Sequence, residues 1–293
     1  MLGAIIGDIA GSRFEFNNYK SKNFALFGGD GLAGGKVYFT DDTVMTVAVA
    51  AALLKTREQT RERTRAAESE ENFKRTLTGS MHYYGARYPH AGYGGRFGYW
   101  LESRSRQPYN SFGNGAAMRV SPAAWVADSL KESERLAALT AGVTHDHPEG
   151  IKGAQATAAA IWLARNGSTK QQIREYIEER YYPRSLKRTL AEIRPGYTFD
   201  ETCQGTVPEA IISFLESENY EDAIRCAVSL GGDSDTLAAI TGSIAEAFYG
   251  IPEETASQAL ALLDEELYDV TSTFYREFCG DRQATDKRQI SDR

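Results

Sequence analysis

The chain is poor in cysteine, with Cys203, Cys226 and Cys279 spread over 293 residues and no C-x-x-C pair among them. That excludes a disulfide framework and a thiolate zinc cluster, and predicts three free thiols in a reducing, cytoplasmic setting. Basic residues are not in excess either: 33 Lys and Arg face 40 Asp and Glu, for a formal net charge of -7. A domain whose main task is to hold a nucleic-acid backbone carries the opposite balance. The opening residues, Met1 to Asp8, lack the positive leader, long apolar core and cleavage site of a signal peptide, and no apolar run reaches membrane-spanning length. No membrane partner is expected. Convincing alternating strand patterns are also missing, which leaves an all-α chain. With 42% hydrophobic residues it can bury a substantial core, and one large domain over residues 1–279, followed by a disordered tail at 280–293, is the expected organisation.

What is present is a set of acid-bearing turns ahead of small-residue helices. Gly231-Gly232-Asp233-Ser234-Asp235-Thr236 puts two acids and two hydroxyls behind a Gly-Gly turn, and Leu237-Ala238-Ala239-Ile240 follows as the start of a helix. Such residue types cap helix starts, but capping uses one acid and leaves the other. Thr40-Asp41-Asp42-Thr43 repeats the design before the apolar run from Val44 to Leu54, with Thr40 or Asp41 as the natural cap. A third cluster, Asp8 and Glu15, lies on the polar side of an N-terminal helix, about two turns apart. On that helix Gly3, Gly7 and Gly11 recur four apart, which gives one face where a second helix can approach closely. If the acid-bearing helix starts converge, their carboxylate and hydroxyl oxygens suit hard cations such as magnesium or manganese, not zinc or copper. The acids also offset the positive ends of the helix dipoles.

Other segments read more simply. Residues 17–36 form a Gly-rich loop, and 55–71, with Arg and Glu interleaved, a solvated face or mobile loop. Residues 91–98 are too glycine-rich for regular structure. The turn from Tyr109 to Arg119 feeds a helix and offers freed backbone N–H groups of the kind that hold phosphate. His145 and His147 stand at a spacing that can ligate zinc if further ligands are supplied; the plain alternative is a loop feature beside Pro148. Residues 195–205 are a loop, and 254–278 read as one closing helix.

The motifs G-D-I-A-G-S-R-F-E at 7–15, F-T-D-D-T at 39–43, F-G-N-G-A-A-M-R at 112–119 and G-G-D-S-D-T at 231–236 together resemble the ADP-ribosylglycohydrolase family. The resemblance spans almost the whole chain, in order. It implies a compact orthogonal all-α bundle with a two-metal cleft: two Mg2+, or Mn2+, beneath an ADP-ribose site. It carries metal ligation onto Thr40, Asp41, Asp42, Asp233, Asp235 and Thr236, and catalysis onto Glu15, Asp41, Asp42 and Asp235, with Glu15 matching a mobile glutamate that closes over the metals. Substrate contacts fall on Gly94, Gly95, Ser111, Phe112, Gly113, Asn114, Gly115 and His145, leaving His147 as a loop residue. The implied activity is hydrolysis of the bond between ADP-ribose and an acceptor. An arginine-linked protein is the first choice, and serine-linked, nucleic-acid-linked and O-acetylated forms stay open. A nucleotide-binding sensor without turnover and a dimetal phosphohydrolase are the alternatives.

Overall fold

A computed structural model describes residues 1–28, 36–61 and 67–279. The expected disorder of 280–293, and the loop expectations where they touch 29–35 and 62–66, lie outside the described residues. In chain order the helices are α1 (Leu2–Gly11), α2 (Asp41–Arg61), α3 (Ala67–Arg87), α4 (Gly95–Glu102), α5 (Gly115–Met118), α6 (Ser121–Val126), α7 (Leu130–Ala141) and α8 (Pro148–Arg165). They continue as α9 (Lys170–Arg180), α10 (Leu190–Ile193), α11 (Cys203–Glu216), α12 (Tyr220–Val228), α13 (Ser234–Tyr249), α14 (Glu253–Leu260) and α15 (Glu265–Phe278). Among the described residues no strand forms; an isolated bridge pairs Gly113 with Thr202. No described helix is long and apolar enough to cross a membrane.

The central element is α13, buried from Ser234 to Glu246 and packed against α1, α8, α11 and α12. Its tightest partner is α1, through the glycine face. A Cβ at Gly3 would stand 2.2 Å from the Gly242 carbonyl oxygen, one at Gly7 2.0 Å from that of Ala238, and one at Gly11 2.5 Å from that of Ser234. Residue number rises along one helix as it falls along the other, so the pair is antiparallel. The end of α1 is thereby fixed beside the start of α13, and the acids after Gly11 meet those around Ser234. At the far end the Met1 ammonium pairs with buried Glu246, whose carboxylate also accepts from Gly3 N.

Most helices away from this junction begin at a side-chain cap: Ser129 for α7, His147 for α8, Thr169 for α9, Thr202 for α11, Asn219 for α12 and Asp264 for α15. Three expectations need correction. α4 starts at Gly95, inside the stretch read as irregular, because burying Phe97 and Trp100 outweighs a penalty of about 1 kcal/mol per helical glycine. The polar segment after Lys55 stays helical to Arg61, and helix resumes at Ala67. The closing helix is two: α14 stops at Leu260, and Asp264 caps a fresh start.

Candidate active site

The starts of α2, α4, α5, α11 and α13 border one cavity of about 230 Å³, lined by Glu15, Asp41, Asp42, Asp233, Asp235 and Thr236 at one end and by Ser111, Gly113, Gly115, Arg119 and His145 at the other. The Gly231-Gly232 turn makes the acidic end possible. Both glycines are left-handed, with φ of 71° and 68°, a region that costs other residues about 1–2 kcal/mol. Their bare Cα atoms are also covered closely: a Cβ would lie 2.4 Å from Asn18 Oδ1 at Gly231 and 2.8 Å from Thr198 O at Gly232.

Capping does not account for the acids here. Asp233 occupies the cap position of α13 yet makes no capping bond; its Oδ2 instead accepts from Asn114 Nδ2 at 2.6 Å. At α2 the expected cap, Thr40, accepts from Asp42 N at 3.3 Å, and α1 reinforces it. Fully buried Asp8 accepts from Thr43 N at 3.0 Å, Thr43 Oγ1 at 2.5 Å, Thr40 N at 2.9 Å and Thr40 Oγ1 at 2.7 Å. Asp41 and Asp42 are therefore free to face the cavity. Asp42 Oδ2 accepts from Thr236 Oγ1 at 3.2 Å, while its Oδ1 is buried without a partner. Glu15, Asp233 and Asp235 bring one carboxylate oxygen each within 4.8 Å of one another. Thr40 sits behind the cavity with its hydroxyl on Asp8.

Burial dominates the electrostatics. It raises Asp8 to about 6 against its four hydrogen bonds, Glu15 to about 7 with help from the Asp233 charge, and Asp41 to about 8 with help from Asp8, Asp233 and Glu15. Asp42 and Asp235 are pushed well above the ordinary carboxylate range by burial and by neighbouring aspartates, and Asp233 is raised by burial although Asn114 donates to it. None of these acids has a Lys or Arg ion-pair partner among the described residues. Buried carboxylates normally are paired or coordinate metals; the orphaned Asp42 oxygen and the all-oxygen donor set fit a hard divalent cation. A larger hollow of about 620 Å³ near Phe73 and Trp125 differs in this respect, since its Glu70 and Glu132 pair with Arg135 and its Glu277 with Arg57.

The opposite end is built from backbone. Residues 112–114 are strapped to 201–203 by Asn114 N to Glu201 O at 2.8 Å and Cys203 N to Phe112 O at 2.9 Å. Buried Cys203 adds its thiol, Sγ donating to Gly113 O at 3.1 Å, and burial pushes that thiol up to about 12. Gly94 and Gly95 form the start of α4 beside Asp41, whose N–H donates to Ala91 O at 2.7 Å. His145 reaches the cavity. His147 does not: its Nδ1 accepts from Glu149 N as the α8 cap and its ring meets Phe112 edge-on at 5.3 Å, which leaves no histidine pair for zinc.

Arg96, Tyr109, Arg119, Phe199, Glu201 and Thr202 also line the cavity and escaped the sequence reading. Arg119 ends the F-G-N-G-A-A-M-R motif, so its place was visible there; its burial was not. Phe199 and Glu201 carry no local signal, because they reach the cavity only through the strap onto residues 112–114.

An all-helical scaffold with unpaired carboxylates at converging helix starts, facing a glycine loop, has the architecture of the ADP-ribosylglycohydrolase fold. A solved ADP-ribosylglycohydrolase-related protein complex superposes with a TM-score of 0.63 at 22% identity, over 94% of this chain and 96% of that one. The chain belongs to the ADP-ribosylglycohydrolase family, whose model matches residues 1–284. Among curated relatives, the ADP-ribosylhydrolase ARH3 of Mus musculus is 26% identical over 325 residues, 86% of this chain and 83% of that protein. The ADP-ribosylarginine hydrolase Tri1 of Pseudomonas putida (strain GB-1) is 31% identical over 175 residues, 54% of this chain and 46% of that protein.

Proposed function

We propose that the chain hydrolyses the glycosidic bond between C1″ of ADP-ribose and an acceptor, with an arginine-linked protein as the first substrate. One observation carries this: buried carboxylates without cationic partners stand across a small cavity from a glycine loop and a buried arginine. Asp41, Asp42, Asp233 and Asp235, with the hydroxyl of Thr236, would hold two Mg2+ or Mn2+, and Thr40, its hydroxyl on Asp8, backs this set rather than joining it. Bound there, such ions supply Lewis-acid polarisation of ribose and water oxygens. Asparagine 114 keeps Asp233 oriented, and the turn of residues 111–115 with Gly94, Gly95 and His145 receives the nucleotide.

Glu15 is the proton-handling group in this reading. Its carboxyl lies within 4.8 Å of Asp233 and Asp235 and lines the cavity, where a carboxyl can accept and return a proton as a general acid–base group. Water adds its oxygen to C1″, the bond from C1″ to the acceptor nitrogen breaks, and the proton lost by water passes to the departing guanidine. Positive charge developing on the ribose ring is met by the surrounding aspartates.

Two features support an arginine acceptor. The relative Tri1 is named an ADP-ribosylarginine hydrolase, and at the cavity mouth Phe199 is stacked on Phe16, with centroids 5.8 Å apart, beside Glu201. A flat aromatic face next to a carboxylate suits a planar guanidinium. Incubating the protein with arginine-linked, serine-linked, nucleic-acid-linked and O-acetylated ADP-ribose, with and without magnesium, and measuring free ADP-ribose tests the proposal. Metal-dependent release from the arginine conjugate is expected. Tight binding of ADP-ribose with no release from any conjugate points to a sensor, and liberation of inorganic phosphate to a phosphohydrolase.

A further inference from the structure

The cavity is also lined by a buried cation that has no ion-pair partner among the described residues. Arg119 is 1% exposed. Its Nη2 donates to Thr144 Oγ1 at 2.7 Å and to Thr140 O at 3.4 Å, its guanidinium stands 5.8 Å from the Phe97 ring centroid, and its Nε has no partner. Thr144 is also fully buried, and its Oγ1 lies 2.8 Å from His145 Nδ1. A hydroxyl has one hydrogen to give and two lone pairs to offer. Arginine only donates, so one lone pair of Thr144 is taken by Arg119. The hydroxyl hydrogen then needs an acceptor, and among the described residues His145 Nδ1 is the one in range. Were Nδ1 protonated, two donors would converge on Thr144 while its own buried hydrogen stayed unmatched, a cost of about 1–3 kcal/mol.

We propose that Arg119 and Thr144 are positioning residues that lock His145 in the Nε2–H tautomer, so that it meets the ligand as a neutral hydrogen-bond donor. The proton chain runs from Arg119 to Thr144 to His145 Nδ1, and the remaining ring hydrogen, on Nε2, faces the turn of residues 113–115. A Cβ at Gly115 would come within 3.2 Å of Nε2 and one at Gly113 within 3.4 Å, so the glycines keep space in front of this donor. Nε2 makes no hydrogen bond within the described chain, which leaves it for the ligand. Burial, then the charges of Arg119 and Arg96, hold the ring's pKa well below its usual value, so the imidazole stays neutral. The positive groups behind and beside it suit an anionic oxygen, and the diphosphate of ADP-ribose is the matching group; this last step rests on the function proposed above.

Nitrogen-15 NMR of the imidazoles tests the lock without any ligand. The chain has four histidines, and His145 is assigned by the signal that disappears in His145→Gln. The expected spectrum shows Nδ1 unprotonated and Nε2 protonated. In Thr144→Val the pattern should shift toward a tautomer mixture and the dissociation constant for ADP-ribose should rise about tenfold, a 1.4 kcal/mol effect, while Thr144→Ser restores both. An Nδ1–H tautomer in the unmutated protein overturns the proposal, as does a Thr144→Val protein with an unaltered spectrum. Should Thr144→Val fail to fold, the unmutated spectrum and the Thr144→Ser protein still decide. If the tautomer is Nε2–H but ADP-ribose does not bind, the lock stands and the ligand assignment fails.

Discussion

The two ends of the cavity are electrostatically incomplete in opposite senses. At one end five carboxylates, Glu15, Asp41, Asp42, Asp233 and Asp235, crowd together with raised pKa values and, among the described residues, no basic partner. At the other, Arg119 is buried without an ion-paired acid among the described residues, its pKa lowered to about 10 by desolvation. A fold selected for stability alone would fill these positions with apolar side chains, since burying charges, paired or not, costs desolvation. Keeping them apart preorganises the cavity for something cationic at one end and anionic at the other, as metal ions and a diphosphate would be.

The sharpest way to break this contrast is to neutralise the acidic end. Asp42→Asn and Asp235→Asn should each lower release of ADP-ribose by about 10³-fold or more, on the scale of losing a preorganised charge at a reaction centre. Metal-free, both variants should melt no lower than the unmutated protein, because each removes a buried, mutually repelling carboxylate. Asp8 is the contrasting acid. Its carboxylate accepts four hydrogen bonds that hold the start of α2, so Asp8→Asn should lower the melting temperature in the same assay. Near-normal turnover in the first two variants would sink the catalytic assignment.

The seam that brings the ends together gives the next largest effect. Gly7→Val drives a branched side chain into the backbone of α13, where even a Cβ would lie 2.0 Å from the Ala238 carbonyl oxygen. Overpacking of side chains alone costs about 1–3 kcal/mol, and backbone yields less readily, so a loss above about 3 kcal/mol in denaturant unfolding is expected. Unfolding within about 1 kcal/mol of the unmutated protein would show that the α1–α13 contact does not position Glu15 against Asp235.

Much of this is legible in the sequence itself. The recurrence of Gly3, Gly7 and Gly11 names a face for close helix approach, and the surplus acid in each motif signals a task other than capping. The partner of that face was hidden, because nothing local to α1 specifies α13. Asp8 shows the same limit: it reads as part of an acidic pair with Glu15, whereas tertiary contact makes it reinforce the cap of a different helix. α4 is not legible in the sequence because glycine propensity is local, while the burial of Phe97 and Trp100 that overrides it is not. Arg119 was legible as a motif residue, but a buried cation without a counter-charge looks in sequence like any surface arginine.

Protonation offers a gentler probe of the acidic end. Raised carboxylate pKa values mean that the folded protein binds more protons than the unfolded chain between about pH 4, where ordinary carboxylates titrate, and about 8, where Asp41 does. Unfolding in that window releases protons, so stability falls as pH rises. The metal-free protein should therefore melt at a higher temperature near about pH 5.5 than near about pH 8. Magnesium should raise the melting temperature most at the upper end, where the carboxylates are ionised and the cation no longer competes with protons. A metal-free melting temperature that climbs with pH over the same range would contradict the crowding of these acids.

The smallest effect is expected at Cys203, beneath the opposite end. Its thiol is a weak donor to Gly113 O and packs so closely that a Cβ at Gly153 would lie 2.5 Å from Sγ. A pKa raised to about 12 by burial leaves almost no thiolate at neutral pH, and the thiolate is the reactive form. Cys203 therefore acts as a strut for the turn of residues 112–114, where the backbone bonds to 201–203 already carry most of the load. Cys203→Ala should cost about 1 kcal/mol of stability, within the range for losing one neutral hydrogen bond. ADP-ribose affinity should change less than about threefold, well below the tenfold step that separates 1.4 kcal/mol. Alkylation of the native protein should be slow at all three buried cysteines and become rapid only on unfolding. Fast modification of Cys203 with loss of ADP-ribose binding would instead show that this end of the cavity opens in solution, and that its contrast with the acidic end is one of mobility as well as charge.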